Sequence, residues 1–151
     1  MKSEVATFFM AFPNGIVWGN TQNGKGYDMV LLGQVEPTHI DVDEMDARLR
    51  RPEYAPVAQS LNEVGFNSAV GLLSTYAGRA ADMRPWLKDA VINRDRNLRL
   101  QYLAGMGLNL YESDQIYADI LTDSPFPDGL FTASEPVMQQ LRAAIQRAQG
   151  R

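Results

Sequence analysis

Two places in this chain bring together side chains that could catalyse a reaction or hold a cation. His39 is the single histidine among 151 residues, and Asp41 follows closely enough to orient it as a general base. No serine or cysteine nucleophile stands in a recognisable motif beside it, so a surface or capping role explains His39 more simply. Asp43, Glu44 and Asp46 continue the acidic run. The run lacks the central glycine and distal glutamate of a calcium loop, and acids at a helix start favour the positive end of the helix dipole.

Glycines around Lys25 give the chain a partial likeness to a phosphate loop. Gly19 and Gly24 have the spacing of G-x-x-x-x-G-K, but Gly26 stands where Ser or Thr would hold magnesium. An apolar strand follows where a phosphate loop requires a helix, so a hairpin turn accounts for these residues. Residues 105–107, Gly-Met-Gly, lack the third glycine and the preceding strand of a dinucleotide-binding fingerprint.

The composition excludes several classes of site. The chain has no cysteine, which removes disulfides, thiol nucleophiles and cysteine-ligated metals, and one histidine cannot build a multi-histidine metal site within one chain. The net charge is -4, from 14 basic and 18 acidic residues, and no basic stripe indicates nucleic-acid binding. Mild acidity suits a cationic ligand such as a polyamine. No apolar run approaches the ~20 residues that span a bilayer, so no membrane contact by this chain is expected.

The elements that would position a site begin with a β-hairpin. Residues 16–18 start an apolar strand, residues 27–32 form a second strand that is apolar on both faces, and Asn23-Gly24 is a strong turn signal between them. A two-stranded hairpin alone is at best marginally stable, and no other segment has comparable strand character. The hairpin either packs on the chain's own helices or completes a sheet supplied from outside, and we favour the second arrangement.

Helical periodicity covers most of the remaining chain. Helices are predicted at residues 2–12, 41–50, 53–64, from Asn67 or Ser68 to about Ala77, after about residue 97, at 113–121, and from a Thr132/Glu135 capping box onward. The inward faces of the third and fourth of these helices are expected to carry Val57, Leu61 and Val64, and Val70, Leu73 and Ala77, respectively. A polar turn is predicted at 93–97. The fold class that follows is α+β, mostly helical.

Three segments of the chain resemble bacterial spermidine synthase-like proteins, including the soluble half of fused transporter–spermidine synthase chains. They are FFMAFPNGIVWGN, GYDMVLLGQ and DAVINRDRNLRLQYLAGMGLN. In that group a helix ending in Phe-Pro leads to a Trp-containing strand, then to a strand ending in an apolar-Gly pair. The resemblance spans residues 3–121. It implies the end of a class I methyltransferase-type sheet, whose last two strands form an antiparallel hairpin preceded by a helix.

The resemblance also implies what this chain does not contain. The group's glycine-rich cofactor loop, the acid that holds the cofactor ribose and the catalytic aspartate would all precede residue 1. We therefore expect the carboxy-terminal portion of such a protein: residues 1–35 as a remnant of a Rossmann-like sheet, and residues 36–151 as a helical domain. No catalytic residue and no cofactor are expected in the chain itself. Tyr27 falls near the position of an aromatic residue that lines the polyamine pocket in this group.

The functional expectation is that the chain is inactive alone. The whole protein would transfer an aminopropyl group from decarboxylated S-adenosylmethionine to a diamine in the cytoplasm. The hairpin would join a second copy, as a homodimer, or the missing amino-terminal domain. Two other hypotheses remain: a self-contained helical interaction module that binds through the helices of residues 41–77, and a small enzyme that uses His39 with acids near Asp41.

Overall fold

The computed structural model describes residues 1–22, 25–102, 113–122 and 125–149. Its elements, in chain order, are α1 (Lys2–Ala11), β1 (Ile16–Gln22), β2 (Lys25–Leu32), β3 (Ile40–Asp41), α2 (Val42–Leu49), α3 (Ala55–Glu63), α4 (Ala69–Leu73), β4 (Tyr76–Arg79), α5 (Ser113–Thr122), β5 (Phe131–Thr132) and α6 (Glu135–Ala148). A 3-10 turn, Pro52–Tyr54, precedes α3, and residues 99–102 are helical. The fold is α+β and mostly helical, as predicted.

The chain forms two compact units, each built from two segments. The hairpin unit comprises Met1–Pro37 and Ala77–Pro125, and the helical unit comprises Thr38–Tyr76 and Phe126–Arg151. The predicted division into residues 1–35, the remnant of a Rossmann-like sheet, and residues 36–151, a helical domain, stays a prediction.

In the hairpin unit, α1 begins the core. Val5 and Phe9 are buried, while Phe8 is half-buried, as the spacing of the apolar residues predicts for one side of this helix. The helix ends where the Phe12 N–H donates to the Phe8 carbonyl, 2.8 Å away. A Cβ atom at Gly15 would lie 2.6 Å from the Phe8 ring, so a larger residue in the turn into β1 would displace that ring.

The predicted hairpin is present. β1 and β2 are antiparallel, with Ile16 opposite Leu32 and Trp18 opposite Val30. The Asn23-Gly24 turn itself lies outside the described residues. Met29 and Leu31 pack on the hairpin unit's core cluster, so one face of β2 is covered, whereas a strand apolar on both faces is expected to be covered on both.

The prediction that the hairpin lacks a sheet of its own is wrong. Residues 76–79 form β4 and pair with β1, although the helical spacing of Val70, Leu73 and Ala77 predicts a helix as far as about Ala77. The resulting sheet has the order β2-β1-β4. The preceding helix stops early because hydroxyls take its last carbonyls: the Ser74 Oγ donates to Gly71 at 2.7 Å, and the Thr75 Oγ1 donates to Leu72 at 2.7 Å.

The core of the hairpin unit joins the sheet to α1 and α5. Its buried members are Val5, Phe9, Val17, Ala77, Met83, Ile120 and Leu121. Two polar contacts fasten α1 to the segment after β4: the Asn93 N–H donates to Thr7 Oγ1 at 2.9 Å, and the Lys2 ammonium lies 2.9 Å from the Asp89 carboxylate. The hydrogen bond from Lys2, together with its charge, lowers the pKa of Asp89.

The predicted polar turn at 93–97 is closed by asparagine side chains. The side-chain Oδ1 of Asn97 accepts from the Arg94 N–H at 2.8 Å, and the side-chain Oδ1 of Asn93 accepts from the Leu100 N–H at 2.8 Å. Leu98 has a positive φ of 43° between them. The predicted helix after residue 97 begins at residue 99, and everything from 103 to 112 lies outside the described residues.

The helical unit confirms the predicted starts of two helices. The Asp41 carboxylate accepts from the Glu44 N–H at 2.9 Å at the start of α2, and the Ser68 hydroxyl accepts from the Gly71 N–H at 3.1 Å at the start of α4. Gly65, with φ 93°, follows α3, and a glycine with positive φ is a common way for a helix to end. The 41–50 and 53–64 helices are therefore present within a residue or two of their predicted ends.

The predicted Thr132/Glu135 capping box is wrong. Thr132 belongs to β5, which pairs in parallel with β3, and its partner there is Asp41. The N-cap of α6 is Ser134, whose side chain does not cap its own helix. Instead the Asp43 carboxylate of α2 accepts from the Ser134 N–H at 2.5 Å and from its Oγ at 3.2 Å. An acid from another helix therefore holds the N-cap residue of α6, whereas the local pattern makes Thr132 the N-cap residue.

Candidate functional site

The outer side of β2 is the first candidate. β2 stands at one end of the sheet, with β1 on one side and no strand among the described residues on the other. Val30 and Leu32 point away from the face that Met29 and Leu31 bury, and they are 56% and 42% exposed. An apolar strand that ends a sheet offers unpaired backbone groups beside uncovered side chains, which is the arrangement that pairs with a further strand.

Tyr27, the predicted substrate-binding residue, lies in β2 at an irregularity of the ladder. Asn20 pairs with Asp28 and Thr21 pairs with Gly26, so Tyr27 has no residue opposite it. Such a bulge often stands beside a binding site, because it redirects the side chain at that position. The side chain itself lies outside the described part of the chain, and the role of Tyr27 stays a prediction.

His39 is exposed and bound to backbone. Its Nδ1 lies 2.9 Å from the Gly129 carbonyl oxygen, and this bond requires a proton on Nδ1. The ring therefore joins the segment before β3 to the segment before β5. Asp41 is engaged elsewhere, as the cap of α2. The geometry assigns His39 a positioning contact in this unit rather than a general-base pair with Asp41.

The acids near the start of α2 each have a structural partner. Besides the Asp41 cap and the Asp43 bond to Ser134, Glu44 pairs with Arg48 at 2.7 Å, and Asp46 pairs with Arg50. Asp46 also accepts from the Ala69 N–H at 3.2 Å, which ties α2 to α4. Within the residues that the structure describes, no group of three or more potential ligands is placed to hold a metal ion.

Asp43→Ala is expected to lower the free energy of unfolding by about 1–2 kcal/mol, since it leaves the N–H of Ser134, the N-cap residue of α6, without its acceptor. Urea denaturation followed by far-ultraviolet circular dichroism measures the change. Glu44→Ala is the matched control: its exposed pair with Arg48 is worth about 0.5 kcal/mol or less. Equal losses in the two variants would mean that the Asp43 bond to Ser134 does not hold α6.

A cavity in the helical unit is the second candidate. It measures about 580 Å³ and lies between α2, α3, residues 66–70 and α6. The helices of residues 41–77, predicted as a binding surface in one hypothesis, supply most of its wall. Sequence reasoning did not identify Phe66, Val137 or Gln140 as lining residues. Periodicity places Val137 on the inner face of the last helix, but the local pattern does not show that α6 reaches a cavity formed by α2 and α3.

Comparison of the chain with protein-family models, with curated proteins and with solved structures gives no match. Among the described helices, none combines the length and the apolar character needed to cross a membrane.

Proposed function

We propose that this chain is the non-catalytic, carboxy-terminal part of a spermidine synthase-like protein. The observation that carries the proposal is the order α1, β1, β2, with β2 left at the end of the sheet. A helix followed by an antiparallel hairpin is the end of the class I methyltransferase-type sheet that the sequence resembles. The exposed Val30 and Leu32 support the idea that further strands continue from β2.

The third strand of the sheet, β4, limits where a further strand could pair with the hairpin. Since β4 lies along β1, the described residues leave only the β2 side of the hairpin for an additional strand. That strand would come from the amino-terminal domain of the parent protein or from a second copy, as a homodimer. The chain would contribute association and, through Tyr27, part of the substrate pocket.

The parent protein would transfer an aminopropyl group from decarboxylated S-adenosylmethionine to a diamine. The proposal assigns no catalytic residue and no cofactor site to this chain, so the purified 151 residues should show no aminopropyl transfer. It places the protein in the cytoplasm, where reducing conditions suit a chain without cysteine.

Val30→Lys is expected to weaken self-association of the purified chain by about tenfold or more, because it puts a charge on the outer side of β2. Light scattering over a concentration series measures the mass. Val35→Lys is the matched control: Val35 is 80% exposed and lies beyond the end of β2. A chain that stays monomeric at high concentration, or two variants that behave alike, would count against association through β2.

A self-contained helical interaction module is the second candidate function. The cavity of the helical unit and the exposed apolar residues of α3 favour it. Two results together would favour this function over the first. The melting temperature of the chain would not change when a diamine is added, and a substitution that fills the cavity would abolish binding of a protein partner.

A further inference from the structure

The cavity of the helical unit exists because α3 presents small and polar residues to its neighbours. Ala58 and Asn62 line the cavity, and Ala47 of α2 lines it too. Of the three apolar residues of this helix that were expected to face inward, Val57, Leu61 and Val64, only Leu61 lines the cavity. Val57 and Val64 are 49% and 69% exposed, and no residue of α3 is buried. Larger side chains at the inward positions would fill the space, as close packing normally requires.

The floor of the cavity is apolar and comes from several elements. Val42 of α2 is fully buried, and Val70 of α4 and Val137 of α6 are half-buried beside it. Phe66, between α3 and α4, adds an aromatic surface. A volume of this size with such a floor is in the range of sites for small organic molecules, roughly 300–1,000 Å³.

The mouth of the cavity carries uncharged amides. Asn62, Asn67 and Gln140 line it and are exposed, and none of their side chains makes a hydrogen bond to the described residues. Each amide offers both donors and an acceptor. A polar group at the end of an apolar ligand would find partners here without breaking an existing bond.

The charge around the cavity disfavours anions. Asp43, Asp46 and Arg50 line it, and Arg50 is already paired with Asp46. The remaining carboxylate, Asp43, holds Ser134 with one bond to each oxygen, and each oxygen can accept a further bond. The lining therefore has one net negative charge, and it would repel a carboxylate or phosphate ligand.

We propose that this cavity binds a small amphipathic molecule: an alkyl or aryl group on the floor, with an uncharged or cationic polar end at the amides and Asp43. The site is independent of the proposed place in a spermidine synthase-like protein, since it lies in the helical unit and involves neither the hairpin nor Tyr27. α3 supplies one wall of the cavity through Ala58, Leu61 and Asn62, and none of its residues is buried.

Three probes with one alkyl chain and different ends test the proposal: 1-octanol, octylammonium and octanoate. Titration of the full chain, followed by amide shifts in ¹H–¹⁵N spectra, gives each dissociation constant. Octanol and octylammonium should shift residues that line the cavity and bind about tenfold or more tighter than octanoate. Equal binding of all three, or shifts spread over the surface, would overturn the proposal.

Cavity-filling variants locate the binding. Ala58→Trp should weaken octanol and octylammonium binding by about tenfold or more, because the indole occupies the space. Ser60→Trp is the matched control on the same helix, where the side chain is exposed and lines no part of the cavity. Ala47→Trp fills the cavity from α2, so the test survives misfolding of one variant. Unchanged octanol and octylammonium binding in a folded filling variant would contradict the proposal. The filling substitutions should not change association through β2, so the cavity proposal and the proposed function can fail separately.

Discussion

Phe9→Ala is expected to lower the free energy of unfolding by about 3–5 kcal/mol. Phe9 is buried in the core cluster of the hairpin unit with Val5 of the same helix and with Val17 and Ala77 of the central and third strands. Its ring centroid lies 5.3 Å from that of Phe8. Truncation removes an aromatic group from contact with both α1 and the sheet, and a close-packed interior does not collapse fully around the cavity left behind.

Fluorescence isolates this effect, because Trp18 and Trp86 are the only tryptophans and both belong to the hairpin unit. Urea unfolding followed at tryptophan emission gives the change directly. Met10→Ala, at the next position of the same helix, is the control: Met10 is 56% exposed, and its loss should change stability by about 0.5 kcal/mol or less. A loss below about 1 kcal/mol for Phe9→Ala would mean that α1 does not anchor the sheet.

The same variant bears on function. The outer side of β2 is a defined surface only while Met29 and Leu31 stay packed on the core that Phe9 helps to build. We expect Phe9→Ala to weaken association through β2 as well, although Phe9 lies in the core rather than beside Val30. Val30→Lys should change association with little effect on stability, so the two variants separate the binding surface from its support.

The parts of the fold that local chemistry decides could be predicted from the sequence. The hairpin is predicted by the Asn-Gly signal between two apolar runs in the sequence. The starts of α2 and α4 are predicted by Asp41 and Ser68, whose side chains accept from backbone N–H groups three residues ahead. These contacts join residues close in sequence, so one window of the chain contains both partners.

β4 could not be predicted in that way. Val70, Leu73 and Ala77 continue a helical spacing, and a four-residue segment that contains a glycine has no strand alternation to oppose it. Pairing with β1, about 60 residues earlier, decides the outcome. The capping of α6 is similar: Asp43 and Ser134 are 91 residues apart, and the nearby Thr132/Glu135 pattern loses to β5 pairing with β3.

The two candidate sites also differ in how far local sequence predicts them. The sequence predicts that the second strand of the hairpin can pair with a further strand, because it is apolar on both faces. The structure adds that only β2 of the hairpin can do so, since β1 already pairs with β4. The cavity could be predicted only as a general surface of the 41–77 helices. Its existence depends on the rotation of α3, which turns Ala58 rather than Val57 inward, and on α6 supplying Val137 and Gln140. Periodicity identifies an apolar face but does not say whether another element covers it.

Leu141→Ala should cost about 2–5 kcal/mol of stability in the helical unit. Leu141 is fully buried on α6, one turn after Val137 and one residue after Gln140, both of which line the cavity. Ile145 is buried one turn further along the same face. Because Leu141 fixes this face of α6 against the unit, its truncation should also loosen the cavity wall and weaken octanol binding.

Amide hydrogen exchange measures this change residue by residue, which suits a unit without tryptophan. The amides of α6 and α4 should lose protection in Leu141→Ala, since these helices pack together. Gln146→Ala, at an exposed position of the same helix, should leave protection within about 0.5 kcal/mol of the original. If α6 keeps its protection and octanol still binds equally well in Leu141→Ala, then α6 is not held through its buried face, and the cavity wall is set by the α2 contact at Ser134 instead.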